Sequence, residues 1–327
     1  TCGSGEPLSC TEDSMDNLST IPFTINVAAL NADGVKTTYS TPGPSTWVSG
    51  FGGEYGGNVE YFGFDSTLPE EPAMMTVDRS SCSVGYVKSG VAVASGKNYN
   101  TFNSGSYSEN SSCNYTSNFN GTSSAAPTIA GVIALMLEAN PNLTWRDVKH
   151  ILVTTSDKVD SSRTTTVGGI TQYAWTENAA GHEFHNWYGF GRVNAADAVD
   201  AAASLTANNL GTFVNTDMLI QTVGAAIPDN SGGVVSQSIT KPSGSNGNVE
   251  FVRIRLEITH DAAWHLGFRL QSPSGTIINI MQPATNINNP SSSFDIGVSA
   301  LYGESMEGTW SLEVRDYVSG TVGTLDS

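Results

Sequence analysis

The sequence predicts an α/β region over residues 1–205 followed by an all-β sandwich over residues 216–327, joined by a linker at 206–215. Three observations carry this. Thr122 to Ala139 is apolar on almost every face, which is the pattern of a buried helix. Val249 to Thr259 alternates apolar Val252, Ile254, Leu256 and Ile258 with Arg253, Arg255 and Glu257, the period-two signature of a half-buried strand. Between them an Ala-rich segment gives way to polar Ala207-Asn-Asn-Leu-Gly211.

The elements follow in order. Phe23 to Leu30 is a short apolar run suited to a buried strand, and Asn31-Ala-Asp-Gly34 supplies turn residues. Gly50 to Asn120 is rich in Gly, Ser, Asn and Tyr, which favours loops and short hairpins. Asn140-Pro141 stops the apolar helix. A second helix starts near Thr144, where Thr144 and Asp147 stand three apart like a capping box. A third, about Asn194 to Ser204, follows Tyr188-Gly-Phe-Gly191. Beyond the linker, Leu266, Phe268 and Leu270, then Trp310, Leu312 and Val314, repeat the alternation, with Ser272-Pro-Ser-Gly275 as a turn.

Composition excludes several functions. The 327 residues carry 14 Lys+Arg against 31 Asp+Glu, a formal charge of −17, with no basic cluster to neutralise nucleic-acid phosphates. No fully apolar run of membrane length is present, and Thr1 to Asp16 is polar, unlike a signal peptide. Cys2, Cys10, Cys82 and Cys113 form no CxxC pair, which disfavours zinc. Low Lys and an even cysteine count suit an extracellular or periplasmic protein with disulfides. Three pairings are open, and the local one, Cys2–Cys10 with Cys82–Cys113, is preferred.

The sharpest chemical signal is Gly121-Thr-Ser-Ser-Ala-Ala-Pro127 at the head of the apolar helix. It puts Ser123 on a turn entering a helix N-terminus, with small neighbours that let a substrate approach. Uncommitted N–H groups there, including that of Ser123, can stabilise an oxyanion. Pro127 is expected in the first turn, where a missing N–H costs nothing. A plain helix-capping serine is the bland alternative.

The surroundings decide between them. Gly-Thr-Ser-x-Ala-x-Pro resembles the nucleophile motif of subtilisin-like serine proteases. The continuation Gly131-Val-Ile-Ala-Leu-Met-Leu-Glu-Ala-Asn-Pro-Asn-Leu-Thr-Trp-Arg-Asp-Val148 resembles the kexin/furin branch, as does His185-Asn-Trp-Tyr-Gly-Phe-Gly-Arg-Val-Asn-Ala195. Leu270-Gln-Ser-Pro-Ser-Gly-Thr276 and Gly308-Thr-Trp-Ser-Leu-Glu-Val-Arg-Asp316 are similar to its accessory P domain. The resemblance implies the C-terminal portion of an α/β subtilisin-like catalytic domain, then an all-β jelly-roll or β-sandwich P domain. It implies a secreted, monomeric endopeptidase acting on polypeptide substrates through an acyl-enzyme on Ser123, with no nucleic-acid or membrane partner. The rival reading is a catalytically inactive, protease-like binding or adhesion protein. A carboxylic-ester hydrolase is disfavoured by the lack of a Gly-x-Ser-x-Gly elbow.

Such a serine needs a histidine base and an orienting carboxylate. All five histidines, His150, His182, His185, His260 and His265, follow Ser123, whereas the subtilisin order is Asp, His, Ser. The chain is therefore expected to begin after the Asp and His segments and the oxyanion-hole Asn. It is expected to lack activity alone, to need the missing N-terminal half of the catalytic domain, and to stop before the last P-domain strand. His182-Glu-Phe-His185 has no third ligand at metal spacing and reads as a loop packed beside Gly189 and Gly191. The resemblance places Asp16 where the branch has an acid for a basic substrate side chain. It also implies structural calcium, although Thr41 stands where the branch has a calcium-binding Glu, and no complete ligand set is visible. Glu70-Glu71 reads as solvated loop charge.

Overall fold

A computed structural model describes residues 13–56, 71–88, 101–230, 235–241, 247–285, 287 and 291–327. Cys2, Cys10 and Glu70 lie outside the described residues. The chain divides into two compact units. One comprises Val27–Ser40 and Ser49–Ala134; the other comprises Thr1–Asn26, Thr41–Val48 and Leu135–Ser327.

In the first unit, strands β1 (Asn26–Leu30) and β2 (Thr46–Phe51), each crossing a unit boundary, form a two-stranded sheet. A second pair, β3 (Met74–Val77) and β4 (Tyr115–Phe119), is antiparallel. The excursion between β3 and β4 is closed near its base by the disulfide Cys82–Cys113. Its sequence separation of 31 makes a chain-entropy contribution of about 4 kcal/mol. Helix α1 (Thr122–Ala139) follows. At Gly50 the backbone of β2 passes so close that a Cβ would lie 2.9 Å from Ile129 Cδ1 and 3.1 Å from the Ala125 carbonyl, so a larger residue would have to push the end of the Ile129 side chain aside.

Two expectations about α1 are corrected. It is not buried all round: Ser124, Ala125, Ile129 and Met136 are buried, while Ala126, Ala130, Ala134, Leu135 and Leu137 are exposed. Apolar character is a property of the helix, but burial needs neighbours, and the described residues cover one face only. The helix is also long and apolar enough, at 18 residues and mean hydropathy 1.3, to match a membrane span. Its contacts with β2 are nonetheless those of a helix packed in a globular unit. Moreover, Pro127 lies in the second turn, because the helix begins at Thr122. Its missing N–H therefore leaves the Ser123 carbonyl without its intrahelical donor.

In the second unit, α2 (Trp145–Thr155) starts with the capping box expected: Thr144 Oγ1 accepts from the Asp147 amide, and Asp147 accepts from the Thr144 amide. Small hairpins β5 (Thr164–Val167)–β6 (Ile170–Ala174) and β7 (Thr176–Glu177)–β8 (Glu183–Phe184) lead to α3 (Ala195–Ser204). Trp47 packs beneath α2. Its Nε1 donates to the Lys149 carbonyl at 3.2 Å, and the Lys149 ammonium sits 3.8 Å from the ring centroid while donating to Pro22 and Thr24 carbonyls. Burial pulls the Lys149 amine down to about 7, against the opposing pull of the Glu250 charge.

The remaining strands are β9 (Ala225–Ile227), β10 (Val235–Lys241), β11 (Val252–His260), β12 (Leu266–Gln271), β13 (Ile277–Met281), β14 (Ser291–Val298), β15 (Gly308–Asp316) and β16 (Gly323–Leu325). They make two antiparallel four-stranded sheets, in orders β10-β15-β12-β13 and β14-β11-β16-β9. Along β11, Leu256 and Ile258 are buried while Arg255 and Glu257 are exposed, which is the alternation the sequence carries. Phe268 of one sheet meets Phe294 of the other edge-on at 6.3 Å, and the core between them includes Ile280, Ile296 and Val314. His260 closes β11 fully buried. Its Nδ1 accepts from the Ala262 amide, which leaves the Nε2 proton facing Asp316 Oδ2 at 3.3 Å.

Candidate active site

Ser123 is the second residue of α1, and it is exposed. Gly121, at φ +97°, turns the chain into the helix. Its carbonyl accepts from the Ser124 and Ala125 amides at 2.9 and 3.2 Å. The Thr122 and Ser123 amides precede these and have no intrahelical acceptor, so they are available to an oxyanion. The exposed hydroxyl, the small residues around it and the adjacent donors suit acyl transfer.

No histidine lies in the residues of this compact unit. The five in the other unit are committed elsewhere. His150 Nδ1 lies 3.0 Å from the Tyr302 hydroxyl, and burial lowers its pKa. His182 is half-buried against Phe190 and Tyr302 and is lowered likewise. His185 is wholly buried beside Gly189. Its Nδ1 accepts from the Trp187 amide, its Nε2 faces the Arg163 carbonyl at 3.3 Å, and burial drives its pKa down to about 4. His185 is thus packed beside Gly189 as expected, but the segment is not a loop: Glu183 and Phe184 form β8 of a short hairpin. His265 Nδ1 pairs with Thr321 at 3.0 Å within the sandwich.

Asp16 is exposed, and its Oδ1 accepts from the Leu18 amide at 2.8 Å in a local turn. The acid of this segment whose carboxyl is shielded is Asp13, half-buried as a residue but with its Oδ1 closed off from solvent; neither its spacing nor its sequence neighbours mark it. Thr46 Oγ1 donates to Asp13 Oδ2 at 2.6 Å, and the Asp13 amide donates to the Pro42 carbonyl. Gly43 is obligatory here, since a Cβ would fall 1.7 Å from Asp13 Oδ1. Burial pushes the Asp13 carboxyl up to about 6, against the pull of hydrogen bonds from Thr46 and Ser45. The folded state therefore holds this proton through a window, from about 4 to about 6, in which the unfolded chain has lost it. Stability present at pH 4 is lost as pH rises through 6, by an amount on the order of 3 kcal/mol. Asp13→Asn is expected to flatten that loss, read as urea midpoints at pH 4, 5, 6 and 7. Parallel profiles for the two proteins would contradict it.

Glu71 is not plain solvated charge. Burial, with Asp33 and Glu54 nearby, raises its pKa, and its Oε2 is shielded from solvent. Glu54 itself is spent on Thr38, taking the amide at 2.7 Å and the hydroxyl at 2.9 Å. Among the described residues no group of three or more His, Cys, Asp or Glu side chains is arranged to hold a metal ion.

Among the described residues, then, a serine exposed at the head of a helix, beside amides with no intrahelical acceptor, is followed in the chain by two antiparallel four-stranded sheets. The chain belongs to the subtilase family, which matches residues 11–191, and the proprotein convertase P-domain matches residues 249–327. It is 30% identical to the Aeromonas extracellular serine protease of Aeromonas sobria over 98% of this chain and 52% of that protein. It is 34% identical to human proprotein convertase subtilisin/kexin type 5 over 62% of this chain and 10% of that one. It is 28% identical to the calcium-dependent protease of a Nostoc species over 95% and 41%. The crystal structure of the Aeromonas sobria serine protease superposes with TM-score 0.76 at 26% identity, covering 92% of this chain and 56% of the other. A second crystal structure holds that protease in complex with its chaperone, with TM-score 0.75 at 27% identity, covering 92% and 53%. The chain spans about half the length of the Aeromonas protease it matches.

Proposed function

We propose that this chain is the Ser123-bearing part of a secreted serine endopeptidase of the kexin-like type. The observation that carries the reading is the placement of Ser123, exposed on the first turn of α1 with its own amide uncommitted. Ser123 Oγ attacks the peptide carbonyl, a histidine base takes its proton, and the Ser123 amide meets the developing oxyanion. The base and its orienting Asp come from the remainder of the catalytic domain. That remainder also covers the exposed side of α1, and the structural tasks of the five histidines support the assignment. Asp16 is our candidate for contacting a basic substrate side chain; its exposure leaves the carboxylate accessible. Calcium is a structural ion of the complete domain in this reading, supported by relatives called calcium-dependent protease. Secretion is supported by the extracellular Aeromonas relative and by the disulfide.

The test is an active-site serine phosphonate probe. The complete protease is expected to be labelled stoichiometrically at Ser123, and this chain alone to be labelled negligibly. Rapid labelling of the isolated chain at Ser123 would overturn the assignment of the base to another segment.

A further inference from the structure

We infer that Tyr39 is a positioning residue for the nucleophile, holding the turn that presents Ser123. The inference rests on the reading of Ser123 given above. Tyr39 is 82 residues from Gly121 in sequence, yet the Gly121 amide donates to the Tyr39 hydroxyl at 2.8 Å. The hydroxyl proton is in turn donated to the Gly53 carbonyl. Its direction is therefore settled: it accepts from the nucleophile turn and donates to the backbone just beyond β2. Gly52 and Gly53 are themselves anchored, both amides donating to the Leu30 carbonyl at 2.8 and 3.0 Å.

Gly121 is thus held on both sides. Its amide is fixed by Tyr39, and its carbonyl by the first turn of α1 through Ser124 and Ala125. Thr122 and Ser123, with the donors proposed for the oxyanion, hang from that clamped peptide. The approach is close enough that Gly52 admits no side chain. A Cβ there would lie 2.7 Å from Ala29 Cβ, 2.9 Å from the Gly121 carbonyl oxygen and 3.0 Å from the Tyr39 hydroxyl. The Tyr39 ring is steadied edge-on by Tyr55 at 6.1 Å. The hydroxyl is occupied by Gly121 and Gly53, so its effect on the reaction passes through the geometry of the turn. Small displacements of a reacting group are expensive in rate, and the Gly121 hydrogen bond is the tether that resists them.

The test is Tyr39→Phe in the complete protease, with amide hydrogen exchange at Gly121 measured in parallel on this chain. The ring and its packing are kept, and only the hydroxyl is lost. We expect kcat to fall about tenfold to a hundredfold with KM within about twofold, and the Gly121 amide to exchange faster. A loss caused merely by destabilisation would instead lower the fraction of titratable active sites and leave kcat per active site unchanged. Unchanged kcat per active site, or unchanged exchange at Gly121, overturns the inference. Failure of the nucleophile reading looks different: turnover would survive Ser123→Ala, while exchange at Gly121 would still report the Tyr39 bond.

Discussion

Ser123→Ala in the complete protease is expected to lower kcat for peptide hydrolysis by about six orders of magnitude, the scale known for subtilisin itself. The substitution removes the atom that forms the acyl-enzyme and leaves the surrounding donors in place. KM should therefore change little, and residual turnover should reflect binding and the oxyanion donors alone. Folding should be spared. The Ser123 side chain is exposed at the start of a helix, and alanine is a better helix former than serine by a few tenths of a kcal/mol. The melting temperature should match or slightly exceed that of the parent. Steady-state kinetics with a peptide substrate, beside a thermal melt, separate the two effects. Retained turnover with an intact fold would remove Ser123 from the mechanism and favour the inactive, protease-like binding protein.

How far such a site can be read from sequence depends on the range of the interactions that build it. The turn at Gly121 and the head of α1 are encoded within a few residues, because small side chains and a helix start are local properties. The Thr144–Asp147 capping box is local in the same way, as is the alternation along β11, where one face is covered by the opposite sheet. The Tyr39–Gly121 bond has no local signature: its partners stand 82 residues apart, and both lie in turns outside the strands and helices. Asp13 lacks a local signature for a related reason. Its burial comes from Pro42, Gly43 and Thr46, about thirty residues away, whereas its neighbour Asp16 looks alike in sequence and stays in solvent. The position of Pro127 differs from expectation for another physical reason. Helix boundaries slide by a residue or two at little cost, and that slide moves proline from the first turn to the second.

The second large effect is expected at Arg146, inside the unit that contains both α2 and the sandwich. From the first turn of α2 its guanidinium reaches two other segments, Leu210–Gly211 and Glu250. Nε donates to Glu250 Oε2 at 2.9 Å, Nη1 to the Gly211 carbonyl at 2.6 Å, and Nη2 to the Leu210 carbonyl at 3.1 Å and to Glu250 Oε1. Its side chain is 9% exposed and that of Glu250 is 22% exposed, so this is a largely desolvated pair. Arg146→Ala strands the Glu250 carboxylate and two carbonyls together. Breaking a buried pair from one side costs about 3 kcal/mol or more, because the remaining charge is left uncompensated. Partial exposure of Glu250 places the expected loss at the lower end of that range. Arg146→Lys should rescue little, since an ammonium cannot reproduce the planar fork that serves Glu250 and both carbonyls. The loss should be seen first as faster proteolysis of the exposed, irregular stretch 212–224, which connects Gly211 to β9. A double-mutant cycle with Glu250→Gln, read by urea denaturation, isolates the pair from the carbonyl contacts. Arg146→Ala protein that unfolds at the parental urea midpoint would show that the clamp contributes nothing to joining α2, the Leu210–Gly211 segment and the sandwich.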